Sequence, residues 1–158
     1  NKSQCGLRLS PESFVRNEEP KIGLDMYAYR IKAGVLSPED QVDFNSKLSK
    51  DDERLPEVSE LTYWRKFNAL HGWMERLYRT TGGSSDCFNC DTVRLEQQDI
   101  EVLESLALSK ALVPVGGFFF GDSTTPFSDE DREEVMDFVK QAKQALADGD
   151  AVAYDSWW

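Results

Sequence analysis

A segment in the middle of the chain constrains the fold most, because its apolar residues recur at the spacing of an α-helix. Residues 61–79 read LTYWRKFNALHGWMERLYR. At 100° per residue, one apolar stripe predicts a helix that packs on a core, and this stripe consists of Tyr63, Phe67, Leu70, Met74 and Leu77. Side chains with an apolar body and a polar tip border the stripe: Trp64, His71 and Tyr78 on one side, Lys66 and Trp73 on the other.

The polar side of this predicted helix has two interpretations. It is either the solvated back of a core helix, or part of a polar binding site formed by Arg65, Lys66, Asn68 and His71. Gly72 lies in the middle of the predicted helix, where glycine costs about 1 kcal/mol relative to alanine. A glycine at that position suggests that another group approaches the helix closely.

Length and charge limit the class of protein. A chain of 158 residues can bury the core of one domain. The net charge is −11, and it is uneven: residues 1–85 hold 13 acidic and 13 basic side chains, whereas residues 86–158 hold 16 acidic and 5 basic. General nucleic-acid binding needs clustered lysines and arginines, so we do not expect direct contact with nucleic acid. A basic partner protein, or mimicry of nucleic acid, stays open.

The chain has no apolar run of about 18 residues and no signal-peptide pattern at its start, so we expect a soluble, cytoplasmic protein without a membrane contact. Three cysteines, an odd number, argue against a disulfide framework and fit a reducing compartment. Cys87 and Cys90 have metal-ligand spacing, and Cys5 and His71 could complete a zinc site. A redox pair is a second reading, but ordinary loop thiols are favoured, and we expect neither metal nor cofactor.

The order of elements predicts an α+β (mixed α/β) fold. We expect a tail over residues 1–21 and a single domain over residues 22–158, with an irregular excursion at 33–60 that holds a short helix near 38–44. About four strands and three main helices follow from the patterns: strands at 22–32, 91–95, 116–121 and 151–158, and helices at 61–79, 97–108 and 129–147, the last capped by Ser128.

The strand at 116–121 contains three consecutive phenylalanines and is apolar on both faces. Both faces of such a sheet must be covered. If the helices lie on one face, Phe119 or its neighbours need cover from the excursion, the tail or a second subunit. We therefore expect a homo-oligomer, most simply a dimer.

Aromatic and cationic residues give the strongest indication of a binding site. Aromatic rings beside arginine, lysine and an amide suit a ligand with a flat ring and a negative charge, such as a nucleotide. The candidate ligand-binding residues are Trp64, Arg65, Lys66, Asn68, His71, Tyr27, Asp25, Phe119 and Trp157, with Tyr29 and Trp158 nearby. The alternative is that most of these aromatic side chains form the core.

Catalysis is less expected than binding. His71 is the only histidine and could act as a general base. No nucleophile motif accompanies it, so a hydrolase that uses His71 is the weakest of the functional hypotheses. The glycine-rich loop after residue 80 follows the helix, and the negative end of a helix dipole disfavours a phosphate.

Five motifs resemble those of a group of small proteins of bacteriophages and bacterial genomes that has no established activity. The pattern of the group is GLDMYxY, YWRKxNxxHxW, a loop containing Asp-Cys, GFFFG and a terminal segment rich in Tyr, Ser and Trp. It matches residues 23–29, 63–73, 86–87, 117–121 and 154–157. The resemblance implies a phage accessory protein, and by analogy of size an inhibitor of host defence.

Two main hypotheses result. The first is a non-enzymatic anti-defence protein that sequesters a nucleotide-like signal, with Arg65 and Lys66 on the phosphate, Asn68 and His71 as hydrogen-bonding groups, and Trp64 or Trp157 stacked on the base. The second is an acidic inhibitor that binds a basic host protein, and it predicts an association that weakens with salt.

Overall fold

The structure is a computed structural model that describes residues 23–45, 58–112 and 127–158. The predicted tail at 1–21 and the predicted strand at 116–121, with Phe119, lie outside these ranges.

Four antiparallel strands form one sheet in the order β2-β1-β4-β3. Their sequences are rich in β-branched and aromatic residues, which favour a pleated, half-buried surface. The strands are β1 (Asp25–Ile31), β2 (Val58–Arg65), β3 (Val93–Leu95) and β4 (Ala151–Trp157). Strands β1 and β4 are central, whereas β2 and β3 are the edges.

The described residues form three helices beside the sheet: α1 (Asn68–Thr80), α2 (Gln97–Leu108) and α3 (Asp129–Ala147). Helix α3 begins as predicted, since the Ser128 hydroxyl accepts the Asp131 N–H at 3.1 Å and the Asp131 carboxylate accepts the Ser128 N–H at 3.0 Å. The predicted α+β fold, with a four-stranded sheet and three helices, is confirmed. None of the helices in the described ranges is long and apolar enough to cross a membrane.

The predicted helix over residues 61–79 is wrong in its first part. Residues 58–65 form β2, and helix α1 begins only at Asn68. The turn between them contains Lys66, whose φ of 56° is left-handed and cannot continue a helix. Within α1 the predicted apolar stripe holds, because Leu70 and Met74 are fully buried. Tyr63, the first predicted stripe residue, is instead 42% exposed.

The two faces of the sheet have separate apolar clusters. The helix-covered face carries Met26 and Tyr154 beside Leu70 and Phe138. On the second face the first part of the excursion covers one end of the sheet, since Val35 and Phe44 pack with Tyr29, Ile31, Ala151 and Ala153. The excursion was one of three covers that the sequence suggested for this face, besides the tail and a second subunit.

Two details of the excursion differ from the prediction. The expected helix near residues 38–44 is absent; those described residues form turns and one isolated bridge between Val42 and Val93. Hydrogen bonds from the Ser37 N–H and hydroxyl to Asp40 hold the turn at 2.7 and 3.0 Å. The excursion also ends before residue 60, because β2 begins at Val58.

Candidate anion-binding site

Strand β2 separates the residues that the sequence grouped into one site. Successive side chains of a strand point to opposite faces. Trp64 is buried on the helix-covered face, where its ring meets Phe138 edge-on with centroids 5.1 Å apart. Arg65 is exposed and pairs in register with Asp25 on the second face. Trp64 and Arg65 therefore do not line one pocket in this structure.

Three further predicted residues share the second face with Arg65. Asp25 lies between Arg65 and Trp157 in the strand register, and Tyr27 lies between Tyr63 and Asp155. The Tyr63 hydroxyl donates to the Asp25 carboxylate at 2.6 Å, and the Tyr27 and Tyr63 ring centroids are 5.3 Å apart. Burial, followed by the hydrogen bond to Asp25, raises the pKa of Tyr63, so this phenol stays protonated at neutral pH.

His71 belongs to the interior. Its side chain is 1% exposed, and its Nδ1 lies 2.6 Å from the Tyr154 hydroxyl oxygen. Desolvation lowers the pKa of His71 to about 4, which leaves the ring neutral at pH 7. A ring buried beneath α1 is out of reach of a solvent-borne substrate. The structure favours the reading of His71 as a core histidine over that of a general base.

The start of α1 has the features of an anion site. Its N-cap residue, Phe67, makes no capping hydrogen bond through its side chain, and the first turn holds no acidic residue. The first intrahelical hydrogen bond runs from the His71 N–H to the Phe67 carbonyl at 3.0 Å. The N–H groups of Asn68, Ala69 and Leu70 precede it and thus have no acceptor within the helix. They add to the positive end of the helix dipole.

Two cations lie immediately before this helix end. Arg65 and Lys66 are exposed, and neither forms an ion pair within residues 23–45, 58–112 and 127–158. Both side chains pass over Gly23, where an added Cβ would lie 3.1 Å from Arg65 Nη2 and 3.2 Å from Lys66 Cε. The Lys66 N–H donates to the Leu24 carbonyl at 2.9 Å, which fixes the turn to the start of β1. The two positive charges are therefore neighbours.

A buried amide completes the arrangement. Asn68 is the first helical residue, is 8% exposed, and its Oδ1 has no hydrogen-bond partner among the described residues. Rotation of the asparagine amide by 180° exchanges its oxygen and its nitrogen, so either atom can face a ligand. The buried Nε1 of Trp64 also has no acceptor there. A buried polar atom without a partner costs about 1–3 kcal/mol, and a bound ligand or water would remove that cost.

The predicted site residues fall into three groups. Arg65, Lys66 and Asn68 are near one another in the chain at the start of α1. Asp25, Tyr27 and Trp157 are on the second face with Arg65, and Trp64 and His71 are buried on the other face. The sequence prediction missed the role of Gly23, which gives the two cations room. Its only signal was a glycine directly before a predicted strand.

The cysteine predictions change. Cys90 is disulfide-bonded, whereas Cys87 is a free, exposed thiol, so the two cysteines do not form a disulfide with each other. Cys90 is therefore not an ordinary loop thiol. Disulfides are typical of oxidising compartments, so the number of cysteines no longer supports a cytoplasmic location. In the described ranges no three His, Cys, Asp or Glu side chains are grouped to hold a metal ion.

Comparison with known proteins gives no match: no family model fits the chain, and no curated protein or solved structure resembles it significantly.

Proposed function

We propose that this chain is a non-enzymatic binding protein that holds a phosphate-bearing, nucleotide-like ligand at the start of α1. The observation that carries the proposal is a pair of cations, Arg65 and Lys66, that form no ion pair in the described ranges and lie beside a helix N-terminus without a side-chain cap. A phosphate there would accept hydrogen bonds from backbone N–H groups and from a guanidinium, the two donors that proteins most often use for this group.

The local charge at the start of α1 favours an anion, although the net charge of the chain does not. The chain as a whole carries −11, so it repels anions at long range. Arg65 and Lys66 form no ion pair in the described ranges, and an anion bound between them would pair with both charges. No acidic residue occupies the first turn of α1, whereas the first turn of α3 contains Asp129, Glu130 and Asp131. The two helix starts therefore differ: α3 is capped by its own side chains, whereas α1 has neither a side-chain cap nor an acid in its first turn.

An exposed aromatic ring lies on the same strand face as Arg65. Tyr63 is two residues before Arg65 on β2, so both side chains project from the second face. Its ring is 42% exposed and is held by the hydrogen bond to Asp25 and by contact with Tyr27. We therefore assign the stacking role to Tyr63 rather than to Trp64, whose ring already packs against Phe138. Phosphate near Arg65 and a flat ring on Tyr63 together describe a nucleotide-like ligand.

Native mass spectrometry of protein purified from cells under gentle conditions tests the proposal, because it weighs retained small ligands directly. Wild-type protein is expected to carry a small adduct, and Arg65→Ala with Lys66→Ala is expected to lose it. Arg76→Ala is the matched control, since Arg76 is an exposed cation of α1 that forms no ion pair in the described ranges. Unchanged adduct in the double variant would show that this site is wrong.

A titration with pyrophosphate separates the anion site from the ring site. Pyrophosphate has no base, so its affinity should fall in the double variant and stay unchanged in Tyr63→Ala. A nucleoside diphosphate should lose affinity in both. Equal affinity of both probes for wild-type protein would contradict the stacking role of Tyr63.

The biological context rests on the resemblance to phage proteins. On that basis we propose that the ligand is a signalling nucleotide of a host defence system, which the protein sequesters rather than converts.

A second candidate is an acidic inhibitor of a basic host protein. It is supported by exposed acids along α3, among them Glu130, Glu133 and Glu134. Association that does not weaken between low and high salt would contradict this candidate.

A further inference from the structure

The outer edge of β2 has no partner strand among residues 23–45, 58–112 and 127–158. Strand β2 has eight residues, and of the described residues only those of β1 pair with it. The opposite edge is different: β3 has three residues, and the chain around Gln41 and Val42 covers it through the Arg94 N–H to Gln41 carbonyl bond at 2.8 Å and the bridge to Val93. Proteins normally shorten, bend or cover an edge strand, because its free N–H and C=O groups pair with other chains.

The sequence of β2 does little to prevent such pairing. VSELTYWR contains neither proline nor lysine, and threonine, tyrosine and tryptophan favour strands. The bulge opposite Ala28 and Tyr29 interrupts the strand beside Leu61 and leaves residues 62–65 in regular pairing with β1. Within the part of the chain that the structure describes, no strand pairs with the outer side of this regular part.

A groove of about 500 Å³ runs beside this edge on the helix-covered side. One wall is a stripe of α3 at helical spacing, formed by Asp137, Lys140, Gln141 and Gln144, and the other is formed by Leu61 and Arg30. All four residues of the α3 stripe are exposed. Neither the Asp137 carboxylate nor the Lys140 ammonium forms an ion pair within the described ranges.

We propose that a second copy of this chain binds here, with β2 pairing antiparallel to β2 of the partner across a two-fold axis. The sheet then continues through both subunits as eight strands, and the two α3 helices face each other, antiparallel, above the junction. In a two-fold dimer both subunits use the same surface patch. That patch must therefore be complementary to itself. An acid and a cation three residues apart on one helix satisfy that requirement: Asp137 meets Lys140 of the other copy, twice per dimer.

The same groove fits an unrelated partner less well. A peptide strand from another protein would satisfy the free edge of β2 once, but it would leave unexplained why the α3 stripe carries one acid, one cation and two amides, each of which can pair with another member of the same set.

A charge-swap experiment tests the interface by sedimentation velocity over micromolar concentrations. Lys140→Glu replaces two attractive contacts per dimer by two repulsive ones and should raise the dimer dissociation constant about tenfold. Asp137→Lys combined with Lys140→Glu restores opposite charges in reversed order, and the dissociation constant should return close to the wild-type value. Arg76→Glu makes the same change of charge on α1, away from the groove, and should have no effect.

All of these residues are exposed on helices, so each variant is expected to fold, which circular dichroism can verify. A wild-type protein that stays monomeric overturns the proposal. A dimer that Lys140→Glu leaves intact, or that the double variant fails to restore, overturns this interface. The paired strand contains Tyr63 and Arg65 of the anion site, whereas the Asp137 and Lys140 variants change α3 alone. A pyrophosphate titration of Lys140→Glu, beside the sedimentation experiment, therefore distinguishes loss of the dimer from loss of the ligand.

Discussion

The Nδ1 atom of His71 lies 2.6 Å from the hydroxyl oxygen of Tyr154, and this contact joins α1 to the central strand β4 in the interior. The ring of Phe88 packs against both side chains, with centroids 5.1 Å from His71 and 5.9 Å from Tyr154. Tyr154 is fully buried, and desolvation raises its pKa far above that of a free tyrosine. Both groups are therefore neutral at pH 7, and the hydrogen bond between them needs no charge.

This contact predicts a loss of stability at mildly acidic pH. Burial lowers the pKa of His71 to about 4, against 6.5 for a histidine in the unfolded chain. The unfolded chain therefore binds a proton between those two values that the folded chain does not bind. By linkage, the free energy of unfolding falls as the pH drops from about 6.5 to about 4, by roughly 3 kcal/mol in total. Urea denaturation at several pH values in this range measures the fall.

His71→Gln is the control for this prediction, because glutamine can hydrogen-bond to the tyrosine but does not titrate. The variant is expected to be less stable at pH 7 and to lose less stability between pH 6.5 and 4 than wild type. Carboxylates titrate near the lower end in both proteins, so the difference between the two curves isolates His71. If the free energy of unfolding depended on pH in the same way in wild type and in His71→Gln, His71 would not be the group that takes up a proton on unfolding.

Gly83 is predicted to reject any side chain. A methyl group there would overlap the ring of Tyr78, which is fully buried and donates its hydroxyl hydrogen to Asp43 at 2.7 Å. The ring cannot move without breaking that hydrogen bond, so Gly83→Ala should lower the free energy of unfolding by about 1–3 kcal/mol. Ser84→Ala, at the exposed neighbouring position, should change it by less than about 0.5 kcal/mol. Thermal unfolding of both variants gives the comparison, and equal effects would contradict the packing argument.

The segment around β2 shows what the sequence could and could not predict. The helical stripe of residues 70–77 is real, and so is the capping of α3 by Ser128, because both follow from local chemistry. Residues 61–67 fit the same helical spacing, but Thr62, Tyr63 and Trp64 also suit a strand. Pairing with β1, which is distant in sequence, decides between the two structures. A local pattern contains no information about that partner.

The sequence could predict the grouping of the polar residues of the candidate site, but not the aromatic residue beside them. Arg65, Lys66 and Asn68 are adjacent in sequence, so their grouping at a helix start survives a shift of the helix boundary. Trp64 was assigned to the same site on helical geometry, and the strand turns it to the opposite face from Arg65. An error of a few residues in one helix start therefore changed which aromatic ring faces the cations.

The two ion pairs of Arg30 test whether burial of the acidic partner increases the contribution of an ion pair to stability. Its Nε lies 2.6 Å from Asp150 Oδ2 and its Nη2 lies 2.8 Å from Asp148 Oδ2. The Asp150 side chain is 6% exposed and also accepts the Ala33 N–H at 3.2 Å, whereas that of Asp148 is 44% exposed. Asp150→Asn should lower the free energy of unfolding by about 1–3 kcal/mol, and Asp148→Asn by at most about 1 kcal/mol. Equal losses in chemical denaturation would show that burial does not distinguish the two pairs.

Lys66 is predicted to trade stability for binding. Its φ of 56° costs a side chain with a Cβ about 1–2 kcal/mol, and glycine adopts this conformation freely, although it also loosens the unfolded chain. Lys66→Gly should therefore raise the free energy of unfolding by about 0.5–1 kcal/mol, while removal of the ammonium group should weaken pyrophosphate binding roughly tenfold. Lys66→Ala separates the two effects, since it removes the charge and keeps the strain: affinity should fall equally, without the gain in stability. Strain that persists in a native protein is typical of functional sites. A glycine variant that is less stable than the alanine variant would show that the left-handed conformation of residue 66 does not destabilise the fold. Only the binding data would then support a functional role for the cation at this position.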